Sequence, residues 1–344
     1  MIESKRNHPR PRVLAITLNW KQAGVTLECV AALLAMQTRA ALDILVIDNG
    51  SDNPTAEPIS SVHGQMAPES EPPPTTPASD VAYLRQELPP TVELLALPLN
   101  LGFGQGNNVG LRQAIARGYE YALLINNDAF VAKDMLDQLL AGADQSVALV
   151  SPKIYYESQP DILWFAGGRQ HPQTLDLIET GRGLPDGPEW SASRDVDYLL
   201  GTCLLVNLSA AATVGLFDER FFMYFEDLDW SIRLRQAGYR LRLSAGAHLY
   251  HRVAASSGGL DSPPRRYHLA RSGVIFWRSH LRQGNPAAIL LFRLGSAIKM
   301  LFRLAVSGQW ISASAYWRGL IDGWGASVEG VDGARANSRS EEAR

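Results

Sequence analysis

The chain has few cysteines, no long apolar run and almost no net charge. Its 344 residues include only two cysteines, Cys29 and Cys203, each inside an apolar stretch. That excludes a disulfide scaffold and argues against a zinc cluster; both read as buried, reduced thiols. No stretch reaches about 18 uninterrupted apolar residues, so no spanning helix is expected. The start is polar through Arg12, and Val13–Leu18 is too short for a signal segment. The expected compartment is the cytoplasm. The net charge of −3, from 32 Lys+Arg and 35 Asp+Glu, hides a second absence. Between Ser262 and Ile321 there is no Asp or Glu, against nine Arg or Lys, which leaves 23 basic residues to face all 35 acidic ones elsewhere. An acidic body therefore carries a basic, apolar C-terminal segment. Nucleic acid is not an expected partner of such a body, whereas a local anionic partner suits the segment.

What is present is a rhythm of short apolar runs and amphipathic stretches, in a chain that is 46% hydrophobic. Val13–Leu18, Ile44–Ile47, Val92–Leu97, Tyr121–Ile125 and Val147–Val150 have strand length and composition, and Val25–Gln37 has helical spacing. Apolar strands alternating with helices predict an α/β fold with a mostly parallel sheet covered on both faces. Ligands in such folds bind beyond the carboxyl ends of the strands. Residues 54–90 interrupt the rhythm with nine prolines, so a flexible insertion is expected at about 53–90.

The strand ends carry polar groups. Asp48-Asn-Gly-Ser-Asp52 can accept hydrogen bonds from a ribose or base, although it also suits an ordinary turn. Asn100-Leu-Gly-Phe-Gly-Gln-Gly-Asn107-Asn-Val-Gly110 is neither a dinucleotide fingerprint nor a phosphate loop of the Gly-Lys-Ser/Thr type. Its glycines let backbone approach a ligand closely before a helix that runs to Gly118. Asn126-Asn127-Asp128 offers one carboxylate to a hard cation, or else a helix cap. Glu226, Asp227 and Asp229 follow the aromatic run Phe221–Phe225, and burial beside aromatics raises a carboxylate toward the range of a general base. Asp229 and Arg233, spaced i, i+4, could form a simple ion pair.

Taken in order, Asn19-Trp20, Asp48–Asp52, Asn100–Gly110, Asn126–Asp128 and Phe225-Glu226-Asp227-x-Asp-Trp230-x-x-Arg233 resemble the family 2 glycosyltransferases, in particular their rhamnosyltransferase-like branch. The resemblance covers about Val13 to Tyr267. It implies a GT-A catalytic domain over 12–260, a helical segment over 261–328, and disordered tails at 1–11 and 332–344. It implies an inverting, metal-dependent enzyme that moves a sugar, with rhamnose from dTDP-rhamnose favoured, to a glycan or lipid-linked acceptor in cell-surface polysaccharide synthesis. Another hexose, galactofuranose, a sugar nucleotidyltransferase and a silent scaffold of the same fold are the alternatives. By the same resemblance Thr17, Asn19 and Asp48 line the nucleotide pocket, and Asn100, Gly102, Asn107, Asn126 and Asn127 border nucleotide and sugar. Asp128 ligates Mg²⁺ or Mn²⁺, although Asn126 replaces the first acidic residue of the usual pair. His251 is the further ligand, with His248 competing. Asp227 is the catalytic base and Glu226 its fallback. Gly201, Thr202, Trp230 and Arg233 face the acceptor.

Within 286–307 a helical wheel sets Arg293, Lys299 and Arg303 in one arc and Leu291, Leu294, Ile298, Leu301, Phe302 and Ala305 opposite, with Met300 an imperfection on the polar side. With the tryptophans of 309–324, this suits a peripheral position on an anionic membrane through 286–324. Packing on the catalytic domain, or a homodimer interface, is the alternative.

Overall fold

The computed structural model describes residues 10–53, 79–252 and 261–327. The expected tails, apart from residues 10 and 11, and most of the proline-rich insertion lie outside the described residues.

The first half alternates as the apolar runs require. β1 (Arg12–Asn19), α1 (Ala23–Leu34) and β2 (Ala41–Asp48) are followed by α2 (Asp80–Glu87), β3 (Val92–Ala96), α3 (Gly102–Ala116) and β4 (Tyr121–Asn126). Next come β5 (Ala129–Val131), α4 (Met135–Ala141), β6 (Val147–Tyr156) and β7 (Gln159–Phe165), then β8 (Gly168–Gln170) paired with β9 (Leu177–Glu179). β10 (Arg194–Asp195), β11 (Cys203–Asn207), α5 (Leu208–Val214), α6 (Glu226–Gln236) and β12 (Arg240–His251) complete the sheet region. Three helices follow: α7 (Pro263–His280), α8 (Pro286–Val306) and α9 (Trp310–Gly325). Among the described residues no helix is long and apolar enough to cross a membrane.

The main sheet runs β10-β12-β6-β11-β4-β1-β2-β3, with β10 and β11 opposed to the rest of this path and β5 and β7 paired antiparallel to β12 and β6 beside it. It is the mostly parallel sheet expected. Register puts Asn19 beside Asp48 and Leu18 beside Asn126, so the polar ends of β1, β2 and β4 share one edge. β11 runs the other way and brings its start, Thr202, to the same edge, where the Asn126 N–H donates to its carbonyl at 3.0 Å. Val13–Ile16, Leu45–Ile47 and Leu123–Leu124 lie in the core.

Two features differ from the sequence expectation. The end of the supposed insertion is helix α2, whose cap Ser79 accepts from the Ala82 N–H. Leu84 is fully buried and Asp80 nearly so, and this anchorage escapes a reading based on proline and polar content. The glycines at 102, 104 and 106 belong to the first turns of α3 rather than to a loop before it. The helix lies close to the sheet because a Cβ at Gly110 would stand 2.8 Å from Ile16.

The C-terminal helices also correct an expectation. Arg293 donates to Asp176 at 2.9 Å and lies 3.6 Å from the Trp277 ring centre, while Arg303 pairs with Asp261 at 2.6 Å. Two of the three cations expected to meet an anionic membrane therefore face the protein instead. Helix α7 is packed into the main core through Ile275, Phe276 and Trp277.

Both cysteines are buried and free, and burial pushes the Cys29 thiol up to about 12 and raises Cys203 as well. The native chain should therefore resist a disulfide-exchange reagent at neutral pH, with both thiols reacting after denaturation. Rapid native labelling of either would contradict this packing.

Candidate active site

Four groups of side chains meet along the carboxyl edge of the sheet. The first surrounds Asn19. Its Nδ2 points at Asp48 Oδ2 (2.7 Å) and Asp80 Oδ2 (3.0 Å), and its Oδ1 accepts from Thr26 Oγ1 at 2.8 Å. Asp48 Oδ1 accepts from the Ser51 N–H at 2.9 Å, and Asp80 also accepts from the Ala23 N–H at 3.0 Å. Asn19 thus ties β1, β2 and α2 together. Asn19 has both atoms of its amide committed to these partners, so its expected contact with a nucleotide is corrected to a supporting position, and Thr17, two residues earlier on the same strand, has no exposed surface. Asp48 is equally buried, but an ionised carboxylate has about four acceptor sites and two of them are accounted for here. Asp80 was missed in the sequence, where a Ser cap ahead of Val81, Leu84 and Leu88 was the available signal.

The second group locks the glycine-rich helix start. Asn100 Oδ1 accepts from the Gly102 N–H at 2.8 Å and from Asn49 Nδ2 at 3.0 Å. Gly102 has φ +80°, and a Cβ there would fall 2.1 Å from the Phe222 carbonyl oxygen, so only glycine fits. The Phe103 N–H donates to that same carbonyl at 2.8 Å. Asn108 clasps Phe217 from both sides, donating to its carbonyl at 2.9 Å and accepting from its N–H at 3.0 Å. The start of α3 is thereby joined to the segment that leads into α6. Asn107 is buried and donates to the Phe103 carbonyl within α3, which corrects its expected place beside the sugar. Asn49 and Asn108 are joining residues that the sequence reading left without a role.

Asp128 and His251 form the third group, with Nε2 3.1 Å from Oδ1. Strand β5 pairs with the end of β12, setting His251 opposite Ala129. His248 stands an odd number of residues away and faces the other side of β12, edge-on to Tyr155. The imidazole beside Asp128 is therefore that of His251. Its Nδ1 is buried without a hydrogen-bond partner, and the Trp164 ring lies edge-on at 4.7 Å. One carboxylate and one imidazole fit a divalent cation that takes its remaining ligands from diphosphate oxygens and water. Among the described residues no cluster of three or more His, Cys, Asp or Glu could hold a metal alone. Asn126 adjoins this pair in sequence, and Asn127 donates to Thr26 Oγ1 at 3.0 Å.

The fourth group is the start of α6. Asp227 Oδ2 accepts from the Gly201 N–H at 2.8 Å and Oδ1 from the Leu228 N–H at 2.9 Å. Burial pushes this carboxyl up to about 6, although the backbone N–H bonds oppose the rise. Burial, and then the neighbouring Asp227, hold Glu226 well above the usual carboxylate range, with Oε2 buried and unpartnered. The carboxyl of Glu226 therefore holds its proton more strongly than that of Asp227. Gly201 and Thr202 are buried beside this carboxylate, and a Cβ on Gly201 would strike the Phe103 ring at 2.7 Å.

Trp230 and Arg233 are corrected. Trp230 is fully buried, 4.4 Å from the Phe217 ring, and donates to the Gly215 carbonyl at 2.8 Å. Arg233 is buried against Asp229 at 2.7 Å and donates to the Leu216 carbonyl at 2.7 Å. Neither can stack on or meet an acceptor. Burial would raise Asp229, but Arg233 and His280, the latter at 2.8 Å, hold it below its ordinary range. Of the three neighbouring carboxyls, Asp229 is shifted down, Glu226 well up, and Asp227 stands between them.

The family description "Glycosyl transferase family 2" matches residues 14–198. An N-acetylglucosaminyl-diphospho-decaprenol L-rhamnosyltransferase of Mycobacterium tuberculosis is 28% identical over 271 residues, covering 72% of this chain and 77% of the relative. Rhamnosyltransferase WbbL of Escherichia coli is 28% identical over 178 residues, covering 49% and 67%. Among solved structures, the mannosyltransferase PcManGT from Pyrobaculum calidifontis, in complex with GDP-Man and Mn²⁺, has a TM-score of 0.52 at 16% identity. That likeness covers 91% of this chain and 88% of the other, and it shows the GT-A fold.

A base with this pKa must lose its proton before it works. Turnover should rise with pH through about 6 and level off above it. Asp227→Asn should lower kcat by a factor on the order of 10²–10⁴, the usual value of a positioned base. Glu226→Gln copies the protonated group and should keep most of the activity. Because a raised carboxyl pKa removes stability as pH climbs, Glu226→Gln should also raise Tm at neutral pH. Inactive Glu226→Gln beside active Asp227→Asn would exchange the two roles.

Proposed function

The chain belongs to glycosyl transferase family 2, and on that premise we propose that it transfers rhamnose from dTDP-rhamnose to a lipid-linked glycan acceptor, with inversion. It is a glycosyltransferase of cell-surface polysaccharide synthesis. The choice of rhamnose is supported by the activities named for its relatives, and that of a lipid-linked acceptor by the decaprenol-linked substrate in one of those names. The proposed place of work is the cytoplasmic side of a membrane.

The observation that carries the mechanism is the isolation of one ionisable carboxylate, Asp227, beside Gly201 at the edge that also holds Asp128 and His251. Asp227 takes the proton of the acceptor hydroxyl as that oxygen attacks the anomeric carbon of the donor. The bond from that carbon to the nucleoside diphosphate breaks on the opposite face, which inverts the configuration. Gly201 keeps Asp227 aimed through its N–H, and burial of Glu226 disfavours a second negative charge that would repel the acceptor oxygen. Asp48 is the proposed acceptor of hydrogen bonds from the nucleoside, with Asn19 and Asp80 fixing its position. Asn100, Gly102 and the start of α3 lie along the path proposed for the diphosphate and sugar, where the positive end of the helix dipole favours an anion. Asp128 and His251 are the proposed holders of Mg²⁺ or Mn²⁺, which would neutralise charge on the departing diphosphate. The imidazole tilts this pair toward Mn²⁺.

Calorimetry with dTDP-rhamnose, UDP-galactofuranose, UDP-glucose and GDP-mannose, with and without Mn²⁺, tests the reading. dTDP-rhamnose should bind most tightly and only with metal, and His251→Ala should weaken that binding by roughly tenfold or more. Preference for another donor would replace rhamnose. Equal binding without metal would remove Asp128 and His251 from the proposed role.

A further inference from the structure

We propose that the outward apolar face of α8 and α9 inserts into the interfacial layer of a phospholipid bilayer, while the basic side of α8 is fastened to the protein. Along α8, Leu291, Leu294, Ile298, Phe302 and Val306 recur on one side, and each is more than half exposed. Along α9, Trp310, Trp317, Ile321 and Trp324 do the same. The faces turned toward the body are of another kind. On α9 they are Ser312, Ala315, Gly319 and Gly323, so close to α7 that a Cβ on Gly319 would lie 2.3 Å from the Tyr267 carbonyl oxygen. On α8 Ile289 and Leu304 are the buried residues, and Arg293 and Arg303 beside them are engaged with Asp176 and Asp261. Rows of large apolar side chains on the outward faces are the reverse of what a helix facing water presents.

Charge selects the occupant. Lys299 and Arg318 are exposed on these helices and Arg282 just before them, and no acidic residue lies between 262 and 321. Two copies joined through this face would set these cations against one another. A phospholipid surface offers phosphates to them and hydrocarbon to the apolar stripe. The tryptophans, amphipathic rings suited to the headgroup level, mark the same depth. With no described helix able to cross a bilayer, both helices lie in its plane. Because the arginines of α8 are held by carboxylates of the body, apolar contact rather than anionic lipid dominates the binding.

The test is flotation of the full chain with phosphatidylcholine vesicles, at low and at high salt. Recovery should be similar at both, with a blue shift of tryptophan emission. Leu291→Ser combined with Phe302→Ser should reduce vesicle affinity roughly tenfold or more while leaving donor binding unchanged. Lys299→Gln should change affinity for these neutral vesicles less than threefold, a modest electrostatic effect. Failure of the wild type to float would overturn the proposal, as would undiminished recovery of the double variant. So would a dimer seen by light scattering that the double substitution dissolves, since a second copy would then be the occupant. The use of this docking in catalysis rests on the lipid-linked acceptor proposed above. Vesicle recovery needs neither donor nor acceptor, so the two ideas fail separately.

Discussion

The site depends on a turn that two bulky residues would not adopt by themselves. Tyr224 and Phe225 stand at φ +69° and +71°, in the left-handed region, immediately before the first turn of α6. Such a conformation costs on the order of 1–3 kcal/mol per residue and persists only where the surroundings impose it. Here α7 imposes it. Phe225 packs against Phe276 with ring centres 5.2 Å apart, Ser272 Oγ donates to the Met223 carbonyl at 2.7 Å, and Phe222 is stacked on His268 at 4.8 Å. Burial pushes that imidazole down to about 4, so it packs there as a neutral ring. The turn in turn aims Asp227 at the Gly201 N–H and sets Glu226 beneath it. Strain, burial and proton affinity at this point are consequences of one packing arrangement.

That arrangement changes the meaning of the C-terminal segment. Its net positive charge suggested a part added to a finished catalytic body. Instead α7 closes over the loop before the proposed base, and His280, at its end, reaches Asp229 one turn into α6. Only α8 and α9 turn a large face outward. We therefore favour a division after α7 over one at residue 260, with α7 as a working part of the catalytic unit.

Much of the sheet was legible because its strands are fully apolar runs, and parallel strands covered on both faces need such runs. Asp128 and Asp227 were legible as carboxylates placed where chains leave the sheet or enter a helix. Asp80 was hidden because its helix follows a proline-rich, polar stretch. Trp230 and Arg233 were misplaced because helical spacing shows which residues share a face, not whether that face meets core or substrate. The same limit applies to α8, where helical spacing separates a basic from an apolar arc without saying which of them meets the body. The choice between His248 and His251 needed only strand parity, once β12 was known to run through both.

The central claim is that packing by α7 sets the proton affinity of Asp227. Its carboxyl should be titrated by ¹³C NMR in the Glu226→Gln background, which removes the coupled neighbour, with and without Phe276→Ala. The account predicts a midpoint near 6 with Phe276 in place and a fall toward the ordinary aspartate range when that support is lost. A midpoint already in the ordinary range, or one indifferent to Phe276, would contradict it.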